Sequence, residues 1–394
     1  MVSVLNGRGS RRLSTACAAA VALFLGGQGV ASAATLPDPS SYINCVDSYV
    51  SGLASSSSAA VSGLSSYLSC LAGASSTAPT GPGGSSGGQG STPSPTLPGQ
   101  LTTGSYTDGS GTLSYELYVP STYRSGTPMP LVVALHGCTQ TADVYRQLSG
   151  WDTEAESKGF IVLFPQQSSS RNSYSCWNWF QQADMQRGSG EPSIIDGMVM
   201  TVEQQYPVDT HRVYVAGFSA GGAMANVMAA TYPDVFAAVG VGSGCEYNGL
   251  PCVGAPGPAA TQTGQEAYQA MGNYARVIPA IIFQGDADDI VAPANAPLIV
   301  QEWQVTDNYV GGGAPSGAIP TSSTSTVNGT SPGGQSYTVT TYGDGNGSEL
   351  IEYWLIHGMN HAWSGGSSTE QYADASGPNE TAAMYAFFSS HPLP

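Results

Sequence analysis

Charge is scarce in this sequence. Only 9% of its 394 residues are Asp, Glu, Lys or Arg, with 10 bases against 27 acids. At a formal charge of −17, the chain lacks the basic surface that nucleic acid or an anionic membrane face requires, and neither partner is expected. Long apolar runs are missing too. The most apolar stretch, "ACAAAVALFLGG", is too short to cross a bilayer. No C-x-x-C pair occurs, and no metal is expected.

The short apolar run has a different use. Arg8, Arg11 and Arg12 precede it and Ala31-Ser32-Ala33 follows it, which is the layout of a secretory signal over residues 1–33. The expected location is therefore extracellular. Cleavage would remove three of the ten bases and no acid, moving the formal charge from −17 to −20. It would also remove Cys17, leaving six of the seven cysteines. In an exported chain an even count reads as disulfides. Pairing neighbours along the chain gives Cys45–Cys70, Cys138–Cys176 and Cys245–Cys252 as the expected set.

Composition divides the rest. In residues 34–74, Ile43, Val46, Val50 and Leu53, then Val61, Leu64, Leu68 and Leu71, step by three and four. That spacing predicts a small helical segment clipped by Cys45–Cys70. Residues 75–103, rich in Gly, Ser, Pro and Thr, read as a linker that cannot build a core. Residues 104–394 read as one globular domain. There "LSYELYVP" is an expected edge strand, while "PLVVALHG", "FIVLFPQ", "RVYVAG", "FAAVGVG", "IPAIIFQG" and "LIEYWLIHG" are short apolar runs typical of strands covered on both faces. Helical stretches such as "DVYRQLSGWDTEAESKG" and "IIDGMVMTVEQQY" lie between them. The alternation predicts an α/β fold with a mostly parallel sheet and helices on both faces.

G-x-S-x-G matches occur around Ser85, Ser219 and Ser331. A chain this rich in glycine produces such matches by chance. Ser85 falls in the linker, which cannot preorganise a nucleophile. Ser331 falls between two Thr-rich runs, where a hairpin turn is expected. Only Ser219 stands between an apolar strand and a helix of small residues, "AGGAMA". This is the context of a nucleophile elbow, with Gly217 and Gly221 allowing strand and helix to approach.

A serine hydroxyl needs a base, and the base needs an orienting acid. "GDADDIV" offers Asp286, Asp288 and Asp289 just past a strand, and pattern alone leaves all three open. Asp288 holds the fourth place of G-x-x-D-x-x-V, whereas Asp286 and Asp289 read as solvated turn acids. "YWLIHGMNHAWSGG" offers His357, which closes a strand and reads as structural, and His361, in a loop free to reach the elbow. An oxyanion hole requires two backbone N–H groups. Ala220 follows the nucleophile, and Cys138 lies in the loop of "LHGCTQ". Trp177 and Trp179 either line a groove for a polymer chain or belong to the core. Trp363 is a further candidate for substrate contact.

Taken together, "LHGCTQTADVY", "CWNWF", "GFSAGGAMA", "GDADDIV" and "GMNHAWSGG" resemble the extracellular poly(3-hydroxybutyrate) depolymerases and their carbohydrate-esterase relatives, the feruloyl and acetylxylan esterases. The resemblance runs from about residue 104 to residue 388. It implies an α/β-hydrolase fold and no cofactor, with Ser219 as nucleophile, Asp288 as acid, His361 as base and Cys138 in the oxyanion loop. It also implies an insoluble polyester or a polysaccharide ester as substrate. Two departures stand out. Relatives often begin the acid-loop motif with His-Gly, where this chain has Gln284-Gly285. Many depolymerases carry C-terminal linker and polymer-binding domains, whereas this sequence ends just after an expected helix, at "AFFSSHPLP". The expected function is that of a serine esterase on a short-chain aliphatic polyester. A feruloyl or acetylxylan esterase is the alternative, and a catalytically inactive binding module the distant one.

Overall fold

A computed structural model describes residues 97–394 apart from 311, 314 and 315. The expected signal (1–33), the helical segment (34–74) with its Cys45–Cys70 bridge, and most of the linker lie outside the described residues.

Seven residues of β3 (Met129–Leu135) are all buried, with no polar side chain among them. Leu131, Val133 and Leu135 face one core, while Val132 and Ala134 face the other. A strand buried on both sides has to read as a continuous apolar run, because successive side chains point to opposite faces. The same holds for β4 (Ile161–Gln166), the second half of β5 (Val208–Phe218), β6 (Val239–Gly242) and β7 (Ala280–Gly285). Each fully buried Val, Leu or Ile contributes roughly 1.5–3 kcal/mol of transfer free energy, so this central slab dominates the hydrophobic term.

With β1 (Gln100–Asp108), β2 (Gly111–Val119), β8 (Ser325–Thr330), β9 (Ser336–Gly343) and β10 (Glu349–Ile356), the strands form one ten-stranded sheet in the order β1-β2-β4-β3-β5-β6-β7-β10-β9-β8. The six strands from β4 to β10 in that order run parallel. The pairs β1–β2, β2–β4, β10–β9 and β9–β8 are antiparallel. One face is covered by α3 (Gly190–Gln205), α4 (Ala220–Thr231), α5 (Ala260–Met271) and α6 (Asn295–Tyr309). The other is covered by α1 (Ala142–Ser149), α2 (Trp151–Lys158) and α7 (Glu380–Ser390).

Two local results differ from the sequence reading. "LSYELYVP" is not the edge: β1 lies outside it, starting at Gln100 within the stretch read as linker. Exposed Thr103, Ser105 and Thr107 alternate with half-buried Gly104 and Tyr106, so composition alone resembles a linker. "DVYRQLSGWDTEAESKG" is two helices, because Gly150 adopts the left-handed conformation at φ 69° and ends α1. Ser331 does sit in the turn of the β8–β9 hairpin, where its hydroxyl accepts the Gln335 N–H.

Candidate active site

The C-terminal ends of parallel strands gather loops from distant parts of such a sheet, and this end carries the polar chemistry here. Ser219 joins β5 to α4 at φ 57° and ψ −121°, a backbone region that non-glycine residues rarely occupy. Its N–H donates to Gly242 O at 2.8 Å, and its carbonyl accepts from Ala223 N at 3.0 Å. The positive φ takes Ser219 out of the capping conformation, and its side chain makes no capping hydrogen bond to the helix that it starts. The hydroxyl of this half-buried residue is thus kept out of the fold's own hydrogen bonding at the helix start. The turn closes only around glycine. A Cβ on Gly217 would lie 2.2 Å from Gly221 O, and one on Gly221 would lie 2.1 Å from Leu135 O.

Asp288 and His361 meet from the loops after β7 and β10. Asp288 Oδ2 and His361 Nδ1 are 2.8 Å apart, and both side chains are buried. The carboxylate also accepts Ile290 N and Val291 N, each at 2.9 Å on Oδ1, and Gln284 Nε2 at 2.9 Å on Oδ2. Burial pushes the Asp288 carboxyl upward, but the His361 hydrogen bond and charge and the two backbone donors outweigh it, so the group is held below its ordinary 3.8. The His361 ring packs on Phe218, with centroids 4.8 Å apart, which brings the imidazole beside the residue preceding Ser219.

The loop of "LHGCTQ" is held by several independent bonds. Gln167 N donates to His136 Nε2 at 3.0 Å, so the ring proton of a neutral His136 is on Nδ1, donated to Gly137 O at 2.8 Å. Burial lowers His136 to about 4, which keeps it neutral. Gly137 N donates to Gln140 Oε1 at 2.8 Å. Cys138 is bonded to Cys176, with S–S 2.01 Å, and Trp177 Nε1 donates to His136 O at 3.0 Å. Beneath them lies Glu191, fully buried and raised to about 7 by burial and then by Asp184; it accepts Asn178 N at 2.7 Å and the amide of Gln167. Among the described residues, neither Cys138 N nor Ala220 N has a backbone acceptor.

The structure corrects the reading of the tryptophans as substrate contacts. Trp177, Trp179 and Trp363 are 0%, 3% and 0% exposed. Trp177 braces the loop that carries Cys138, and Trp363 donates to Thr381 Oγ1 at 2.9 Å. Indoles this large contribute most when fully packed, and each N–H that reaches a partner removes the penalty for burying it. Asp286 is also more than a solvated turn acid. It is exposed, but it bonds His357 Nδ1 at 2.9 Å and accepts Gly358 N at 2.6 Å, while His357 Nε2 meets Thr338 Oγ1 at 2.9 Å. His357 and His361 therefore serve different carboxylates. Asp289 is exposed. Gln284 was visible in the sequence only as a departure from the His-Gly pattern, with no sign that its amide would reach Asp288.

Cys245 and Cys252 are also bonded. The chain leaving Cys252 is stitched to the acid loop: Ala292 N donates to Cys252 O at 3.3 Å, Gly254 N to Ile290 O at 2.9 Å, and Asn295 Nδ2 to Cys252 O at 2.9 Å. Each disulfide therefore holds one loop of the site. Replacing Cys138 and Cys176 together by Ser is expected to cost about 4 kcal/mol of stability on the chain-entropy account, given a sequence separation of 38. It should also lower turnover of a soluble ester. Thermal unfolding and initial rates check both, and an unchanged rate would show that the bridge does not set the loop.

A serine at a strained strand–helix turn, a buried Asp–His pair from later loops and a doubly wound parallel sheet define an α/β-hydrolase. This chain belongs to the Esterase PHB depolymerase family, whose sequence model matches residues 113–318. Poly(3-hydroxyalkanoate) depolymerase C of Paucimonas lemoignei is 39% identical over 261 residues, 64% of this chain and 58% of that protein. Acetylxylan esterase A of Talaromyces purpureogenus is 36% identical over 225 residues, 53% of this chain and 57% of that protein. The match thus spans less than two thirds of either relative. Among solved structures, an acetyl xylan esterase from Aspergillus awamori superposes with a TM-score of 0.54 at 27% identity, covering 66% of this chain and 94% of that one.

Proposed function

We propose that the protein is a secreted serine esterase that cleaves ester bonds through an acyl-enzyme. The observation that carries this reading is the strained Ser219 elbow beside a His361 ring that is oriented by buried Asp288. In the proposed reaction His361 Nε2 takes the Ser219 proton as Oγ attacks the ester carbonyl. The tetrahedral oxyanion is met by the N–H groups of Cys138 and Ala220. Collapse expels the alcohol, which receives the proton from His361. Water, activated by the same imidazole, then releases the acid and restores Ser219. Asp288 holds Nδ1–H and stabilises the imidazolium.

The proposed substrate is a short-chain aliphatic polyester such as poly(3-hydroxybutyrate). The similarity to a poly(3-hydroxyalkanoate) depolymerase supports it, as does a surface low in charge, suited to a neutral solid. Acetylated xylan is the second reading, favoured by the two acetylxylan esterases. Burial of the three tryptophans takes away the aromatic groove as an argument for either. The deciding experiment offers the enzyme a polyhydroxybutyrate suspension, methyl ferulate and acetylated xylan side by side. Clearing of the suspension with release of 3-hydroxybutyrate oligomers is expected. Rapid acetate or ferulate release over an untouched suspension would reverse the order of the two readings. Failure of a fluorophosphonate probe to label Ser219 would favour an inactive binding module over both.

A further inference from the structure

Gln284, next to last in β7, is a fully buried amide in the strand that delivers the acid loop. Its Nε2 donates to Asp288 Oδ2 at 2.9 Å and lies 3.2 Å from Gly285 O. With acceptors on that side, the amide has one sensible orientation, since the reverse would set its carbonyl against the carboxylate. The consequence falls on Oε1, which is buried with no hydrogen-bond partner. A buried unpartnered carbonyl costs its full desolvation penalty, and a leucine of similar volume would avoid it. Packing does not account for the amide. Its bond to Asp288 does.

We infer that Gln284 is a positioning residue that sets the basicity of the Asp288–His361 pair. This inference rests on the reading of Ser219, Asp288 and His361 as the reacting set. Asp288 Oδ2 is shared by two N–H donors, His361 Nδ1 and Gln284 Nε2, while Oδ1 is filled by the amides of Ile290 and Val291. The Gln284 donor fixes the rotation of the carboxylate so that Oδ2 meets the imidazole. It also draws charge from that oxygen and so restrains how strongly Asp288 holds a proton on His361. Of the other ionisable groups nearby, Asp286 turns to His357 and Gly358, and Asp289 is exposed, so His361 is the ionisable group in contact with the acid. A neutral amide supplies this donor at every pH. A histidine, which the sequence departs from here, would supply it with a titration of its own.

Three substitutions test this, assayed on p-nitrophenyl butyrate beside Ser219→Ala. Gln284→Leu should lower kcat about 10–100-fold, as loss of an outer hydrogen-bond partner does elsewhere, with KM nearly unchanged. The acid limb of its kcat/KM profile should move to higher pH, because His361 becomes more basic. Its thermal midpoint should be equal or higher, since the orphan carbonyl is gone. Gln284→His, which keeps a donor, should stay within a few-fold of the parent. Gln284→Glu should be active only at acid pH, where the introduced carboxyl is protonated and can donate, and should fail as that group ionises beside Asp288. This last profile serves if the leucine variant does not fold. Parental kcat and pH profile in Gln284→Leu would overturn the inference, as would a loss of midpoint with no rescue by histidine and no acid-pH activity in Gln284→Glu. Activity surviving in Ser219→Ala would instead overturn the reading of the reacting set.

Discussion

Ser219→Ala is expected to lower kcat on soluble esters by about 10⁵–10⁶-fold, the loss seen when a triad nucleophile is removed from a serine hydrolase. Little else should change. The Ser219 side chain caps no helix, and its structural bonds run through its own N–H and C=O, which alanine keeps. The positive φ costs alanine and serine alike, on the order of 1–3 kcal/mol, so the strain stays and the fold with it. Residual catalysis of about 10³–10⁴ over water should persist, because the Cys138 and Ala220 amides remain in place. Thermal unfolding, initial rates and fluorophosphonate labelling measured on one preparation check the three parts. A variant that kept even a hundredth of the turnover would place the nucleophile elsewhere.

Asp288→Asn should cost about 10⁴-fold in kcat. The carboxylate is surrounded by donors only: His361, Gln284, Ile290 and Val291. An amide there can satisfy the two backbone N–H groups with its oxygen, but its NH₂ then faces the Gln284 NH₂ and turns the imidazole to the wrong tautomer. Stability should follow a defined pH course. The Asp288 carboxyl is held below 3.8 in the fold, so the stability it contributes is present in full above the ordinary carboxylate range and fades as pH falls through its lowered value. The gap in denaturant midpoint between parent and variant should therefore be widest near neutral pH and narrow on acidification below about 4. A gap that widened on acidification would contradict the role given to the pair.

Much of the architecture was legible because its strands are covered on both faces. A run such as "PLVVALHG" admits few other readings once glycines bound it. The edge was not legible. β1 alternates half-buried and exposed polar residues, and only pairing with β2 distinguishes it from linker. The break in the first helical stretch depends on the left-handed Gly150, which periodicity does not register. At the site, residue type and order singled out Ser219 and His361 but left Asp286, Asp288 and Asp289 open as the acid, and the structure joins Asp288 to His361 by a hydrogen bond. What the sequence withheld were contacts made by side chains with no chemical signature of their own. Gln284, Gln140 and Gln167 act here through where their amides point, and Trp177 through what its ring is packed against. Such roles arise from tertiary packing.

The order in which strands lie side by side also governs how the chain reaches this state. Leu131 is beside Val213, Val239 beside Ala280, and Ala280 beside Ile351, so almost every parallel rung joins segments remote in sequence. Such pairings must close long loops before their contacts return anything, which makes folding slow and late to commit. The groups at the strand ends acquire their geometry only after the rungs beneath them have formed. On dilution from denaturant, helical signal should therefore return first and hydrolytic competence last. In the interval the chain exposes unpaired edges of its most apolar strands, and concentration rather than sequence then decides between refolding and aggregation.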